Sequence, residues 1–146
     1  MELKIKRLDK RAKLPVRATP GSAGMDLHAL LDEPLILKPG ERALVRTGIA
    51  IELPSCETVG LVFARSGLAV KKGIALSNGV GVIDSDYTGE LKVGLVHLGT
   101  EPVTIQPDER IAQLVVLPVL LPDIREVAVL DETVRGAGGF GSTGAV

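Results

Sequence analysis

Turn chemistry recurs roughly every ten to fifteen residues, as in an all-β sandwich or barrel, and it leaves long helices little room. Pro39-Gly40, Leu53-Pro54-Ser55, Gly99-Thr100 and Pro107-Asp108 punctuate the chain, which holds 17 glycines and 9 prolines. Between these breaks lie residues 43–53, 58–63, 90–98 and 111–117, short runs rich in Val, Ile and Leu that partly alternate. Such runs read as strands. One short helix is expected over Ser66–Lys72, with Ser66 capping its start and Gly73 ending it.

A chain of 146 residues suits one domain able to bury most of its own apolar surface. Its net charge of -1 gives no overall pull toward nucleic acid or an anionic membrane, so an anionic ligand must be held locally. The basic cluster Lys4, Lys6, Arg7, Lys10, Arg11 and Lys13 resembles a polyanion-binding arm. However, Leu3 and Ile5 alternate with Lys4 and Lys6 as in a half-exposed strand, and that reading is preferred. The longest apolar run, 114–121, is broken by Pro118 and is too short to span a membrane. The N-terminus lacks the apolar core of a signal peptide, so a soluble, cytoplasmic protein is expected. Cys56 is the only cysteine, which excludes an intrachain disulfide and a cysteine-cluster metal site. His28 and His97 lack the spacing of paired metal ligands.

With only Phe63, Tyr87 and Phe140 as aromatics, the core must be built from Val, Leu and Ile. Phe63 ends a strand run and is expected in that core, whereas Tyr87 and Phe140 sit in loop chemistry. Residues 78–90, NGVGVIDSDYTGE, read as a hairpin with Asp84, Ser85, Asp86 and Tyr87 at its tip. That tip is either a self-bonded turn or a place to hold a water and a ring. Arg65 and Ser66 stand beside free backbone N–H groups at the expected helix start, either an ordinary capped turn or a phosphate site. Residues 135–144, RGAGGFGSTG, cannot pack alone, because ordering each residue costs about 1–2 kcal/mol of backbone entropy and glycine costs most. Glycines nevertheless allow close approach to a phosphate, Arg135 supplies a cationic fork, and Phe140 supplies a flat face for a base. Such an arm can close over a nucleotide and order only when it is bound.

Five stretches, in order, resemble the motifs of the trimeric deoxyuridine triphosphatase (dUTPase) family. They are AGMDL at 23–27, ARSGLA at 64–69, GVIDSDYTGE at 81–90, ERIAQ at 109–113 and RGAGGFGSTG at 135–144. Together they span residues 23 to 144. Three departures are visible: Ala64 replaces a common proline or serine, Met25 replaces a frequent aromatic, and Pro107-Asp108-Glu109 varies the lead-in to the fourth motif. None removes a residue assigned to chemistry.

The resemblance implies hydrolysis of dUTP to dUMP and pyrophosphate with Mg2+, which removes dUTP from the nucleotide pool and supplies dUMP. It implies a jelly-roll-like distorted β-barrel or sandwich over residues 1–134, a flexible Gly-rich C-terminal arm at 135–146, and a homotrimer with active sites at subunit interfaces. Asp84 resembles the carboxylate that activates the attacking water, and Tyr87 the ring that excludes a 2′-hydroxyl. Asn78 and the backbone around Val82 and Ile83 match the part that reads uracil, with Lys92 near the base. Arg65, Ser66, Gly67 and Gln113 match phosphate contacts, and Asp26 the carboxylate that holds the metal through water. Arg135, Phe140, Gly141 and Ser142 match the arm, with the phenyl ring over uracil. Asp86 and Glu90 are open between catalysis and an ion pair with an arginine such as Arg110. The runner-up functions are a dCTP deaminase of the same fold and a regulatory nucleotide-binding protein; Asp84 with Tyr87 and the full arm favour the triphosphatase over the first, and the intact set Asp26, Arg65, Asp84, Gln113 and Arg135 argues against the second.

Overall fold

The computed structural model describes residues 1–139. In chain order the elements are β1 (Lys4–Arg7), β2 (Met25–His28), β3 (Leu35–Leu37), β4 (Arg42–Glu52), β5 (Thr58–Ala64), α1 (Ser66–Lys72), β6 (Ile74–Leu76), β7 (Gly81–Ile83), β8 (Glu90–His97), β9 (Val103–Ile105) and β10 (Arg110–Pro118). Two four-stranded sheets run β1-β4-β8-β6 and β2-β10-β5-β7, and β3 pairs with β9. Every pairing is antiparallel.

The inward faces of all three sheets meet in one core. β8 shows why: Leu91, Val93 and Leu95 alternate inward with Lys92 and Gly94 outward, which gives the strand one apolar face. Ile49 and Ile51 of β4, Leu27 of β2, Leu114 of β10 and Ile105 of β9 complete the same cluster. His97 ends the β8 stripe, 1% exposed, and is fully satisfied. Its Nδ1 accepts the Gly99 N–H at 3.0 Å, so its Nε2 carries the proton and donates to the Glu101 carbonyl at 2.6 Å. The four longer strands coincide with the runs expected from sequence to within a residue at each end.

Several expectations change in detail. Phe63 is only half-buried, because inward-facing Val62 takes the core side of β5 and turns its neighbour to the other face. The helix starts one residue earlier than a Ser66 cap requires: Arg65 occupies the N-cap position with extended backbone and no side-chain cap, and Ser66 is the first helical residue. Gly73 does end the helix, in the left-handed conformation at φ 69°. Residues 78–90 are not a hairpin, because β7 pairs with β5 and β8 pairs with β4 and β6. That segment crosses from one sheet to the other. After Pro118 the chain runs to residue 139 without strand or helix.

Candidate active site

β10 organises the first group of residues. It lies between β2 and β5, so Gln113 faces Asp26 on one side and Phe63 on the other, one residue short of Ala64. Gln113 Nε2 donates to the Ala64 carbonyl at 3.0 Å, which ties the fourth motif to the lead-in of Arg65. A Cβ at Gly24 would overlap the Gln113 amide, so this glycine is required by a close approach. Asp26, 8% exposed, accepts from Arg65 Nε at 2.7 Å through Oδ1 and from Arg110 Nη1 at 3.2 Å through Oδ2. The carboxylate is therefore fixed by two guanidinium groups, a paired charge in a nearly dry setting. Ser66 and Gly67 sit exposed on the first turn of α1 beside Arg65, and a Cβ at Gly67 would meet nothing in this chain.

His28, two residues from Asp26 and opposite Arg110, carries the one buried side-chain atom, Nδ1, without a hydrogen-bond partner among the described residues. Burial holds its pKa below the usual histidine value, against the pull of the Asp26 charge and helped by that of Arg110. It enters β2 as a sheet residue.

The second group forms where the chain crosses between sheets. A cleft of about 260 Å3 is lined by Val82, Ile83, Asp84, Tyr87, Glu90, Leu91 and Lys92. Asp84 is exposed at its mouth, and its carbonyl accepts the Tyr87 N–H at 3.1 Å. The Tyr87 ring lies over Gly89, where a Cβ would come within 2.6 Å of the phenol oxygen, and the hydroxyl donates to the Glu90 carbonyl at 3.0 Å. β7 is an edge strand, so the backbone of Val82 and Ile83 presents polar groups on the side away from β5. Asn78 lies in the turn before β7, outside the cleft lining. The glutamate of this motif does pair with an arginine, but with Arg46, whose Nε reaches the two Glu90 carboxylate oxygens at 3.0 and 3.2 Å. Arg110 is engaged by Asp26 instead.

The two groups stand apart. In the β5–β7 register Gly60 faces Ile83 and Val62 faces Gly81, so Asp84 falls beside Val59, six residues along β5 from Arg65. At strand rise this separation is about 20 Å. Arg135 bonds within its own segment, its Nε donating to the Gly138 carbonyl at 2.8 Å. Phe140, Gly141 and Ser142 lie outside the described residues. Sequence reasoning assigned no role to Arg46, since nothing near it resembles a motif; its signal is the register shift of β4 against β8.

Among the described residues no three His, Cys, Asp or Glu side chains gather as a metal cage. The donor set suits Mg2+ held through its own waters: each Asp26 oxygen keeps a lone pair beyond its guanidinium bond, which can accept from a hydrated cation. Among the described residues no helix is long and apolar enough to cross a membrane.

Comparison with known proteins identifies the family. A family model described as dUTPase matches residues 10–144. The deoxyuridine 5'-triphosphate nucleotidohydrolase of Desulfitobacterium hafniense is 55% identical over 138 residues, covering 94% of this chain and 91% of the relative. That of Neisseria gonorrhoeae is 51% identical over 146 residues, covering 99% and 97%. The structure of Staphylococcus bacteriophage 80alpha dUTPase with dUPNHPP superposes at TM-score 0.88 with 29% identity, covering 98% of each chain. The expected jelly-roll-like β fold with one short helix therefore holds. With motif order, fold and relatives in agreement, the chain belongs to the dUTPase family, hydrolases of nucleotide metabolism that act on deoxyuridine 5'-triphosphate.

Proposed function

We propose that the chain hydrolyses dUTP to dUMP and pyrophosphate by attack of water on the α-phosphorus, acts in the cytoplasm, and thereby clears dUTP while supplying dUMP. The observation that carries this reading is the cleft in which Asp84 and Tyr87 stand beside the free edge of β7. Asp84 is exposed at the mouth, where a carboxylate can orient a water and take its proton. The backbone of Val82 and Ile83 offers donors and acceptors to the uracil edge, with Asn78 and Lys92 nearby. A cytosine amine would present a donor where uracil has an acceptor, a mismatch able to discriminate by orders of magnitude. Tyr87 forms the wall against the sugar.

Arg65 uses Nε for Asp26, which leaves its terminal NH2 groups for phosphate oxygens, with Ser66, Gly67 and Gln113 around them. Asp26 would hold Mg2+ through a water, and bound Mg2+ supplies positive charge to the triphosphate. Residues 135–146, with Arg135, Phe140, Gly141 and Ser142, would close over the nucleotide.

One chain cannot bring both groups to one phosphate across about 20 Å, so a site needs a second copy. Leu120, Leu121, Ile124, Val129 and Leu130 are largely exposed after β10, apolar surface that an isolated subunit has no reason to display. Both features support an oligomer, in line with the homotrimer that the motif resemblance implies. The direct test is pyrophosphate release with Mg2+ from dUTP beside dCTP, dTTP and UTP, with ammonia assayed in parallel. Release from dUTP alone, lost by a factor of about a hundred or more in Asp84→Asn while binding persists, is expected. Unchanged turnover in that variant would remove Asp84 from the mechanism, and ammonia from dCTP would favour a deaminase.

A further inference from the structure

The floor of the Asp84–Tyr87 cleft is fastened to an irregularity in β4. Arg46 faces Lys92 and Ala50 faces Glu90, so four residues of β4 span what two of β8 span. The surplus is accommodated by Thr47 and by Gly48, which adopts φ 70°. A Cβ there would press on Leu30 and Ala12 at 2.7 and 2.8 Å. Each residue of the bulge reaches the start of β8. Arg46 Nε donates to both Glu90 carboxylate oxygens at 3.0 and 3.2 Å. The Gly48 N–H donates to Glu90 Oε1 at 2.9 Å. Thr47, 2% exposed, donates from Oγ1 to the Leu91 carbonyl at 2.6 Å. Bulges commonly re-aim side chains next to active sites.

Glu90 passes this constraint to the ring. Its side chain is held by Arg46 and Gly48, and its carbonyl accepts the Tyr87 hydroxyl at 3.0 Å. Gly89, with no side chain to prop the ring away, lies beneath Tyr87. We infer that Arg46 and Glu90 are a positioning pair that fixes the Tyr87 ring through the Glu90 backbone and so sets the discrimination between deoxyribose and ribose triphosphates. This rests on the reading of Tyr87 as the sugar wall. Neither Arg46 nor the Glu90 carboxylate needs to touch the nucleotide. Excluding one hydroxyl by shape demands a wall held to a fraction of an ångström, and small misplacements are costly there.

The chain has one tyrosine and no tryptophan, so near-ultraviolet circular dichroism of the tyrosine band reports on Tyr87 alone. The test measures kcat/KM for dUTP and for UTP in the full-length enzyme and in Arg46→Met, Arg46→Lys, Glu90→Gln and Tyr87→Ala, with the tyrosine band recorded for each except the last. The inference expects Arg46→Met and Glu90→Gln to lower the dUTP/UTP ratio by about tenfold and to weaken the tyrosine band, with Arg46→Lys intermediate. Glu90→Gln keeps the shape and an acceptor for Gly48, so it decides the matter if Arg46→Met folds poorly. An unchanged ratio and an unchanged band in Glu90→Gln and Arg46→Met, with Tyr87→Ala losing selectivity, would overturn the positioning role and leave the Tyr87 reading standing. A Tyr87→Ala enzyme that still rejects UTP would overturn that reading, and the inference with it.

Discussion

Single atoms decide whether the cleft can work. Gly89→Ala would set a methyl within 2.6 Å of the Tyr87 hydroxyl and 2.7 Å of the ring carbon bearing it, so the ring must move. The expected result is a loss of about tenfold or more in kcat/KM for dUTP with little change in melting temperature; unaltered kinetics would show the ring position to be immaterial. Asp9 allows a second check. The Arg11 side chain, then its backbone N–H, hold the Asp9 carboxyl at about 2, down from 3.8. The folded value lies below the unfolded one, so the stabilisation is present above about pH 3.8 and is lost as pH falls through about 2. Solvent exposure keeps it small. Carboxyl NMR should find Asp9 titrating near 2 and returning toward 3.8 in Arg11→Met; an unchanged value in the variant would refute the pairing. At this scale Asp84, Tyr87 and Arg65 were singled out by motif resemblance, since their own turn chemistry fits a structural turn as well as a site. The sequence was silent on Arg46, whose role depends on a register shift, and the helix cap at Ser66 was misplaced by one residue because Arg65 supplies the extended backbone there.

Elements show a similar division. β4, β5, β8 and β10 were readable because seven or more residues of apolar patterning outweigh local noise. β3, β6, β7 and β9 have three residues each, and their strand character comes from partners distant in sequence. The same fact defeated the hairpin expected over 78–90: polar turn residues between two apolar runs are common to hairpins and to crossings between sheets. Partner choice is set by the core, where β7 caps the β5 edge. Gly73 links the helix to this framework, at φ 69° with the Gly99 backbone N 2.6 Å from where a Cβ would stand. Gly73→Ala combines a left-handed penalty with a backbone clash and should cost about 2 kcal/mol or more, read from the denaturation midpoint. A midpoint equal to wild type would contradict the close approach at Gly99.

On the proposed reading, one chain taken alone is an incomplete enzyme. The Asp26, Arg65 and Gln113 group and the Asp84 and Tyr87 group lie at opposite ends of β5, while apolar side chains after β10 face solvent. Motif order in the sequence pointed to both groups but could not show their separation, because distance along a strand becomes visible only once the register is known. In the proposed enzyme, one copy supplies Arg65 and another supplies Asp84 to each site. The most direct measurement is dUTP hydrolysis after Arg65→Ala and Asp84→Asn chains, each inactive alone, are unfolded, mixed in equal amounts and refolded together. Random assembly pairs an intact Arg65 with an intact Asp84 from another copy in about a quarter of sites, so activity should return to about a quarter of the wild-type rate. No recovery in mixtures shown to contain hybrid assemblies would contradict a site shared between copies.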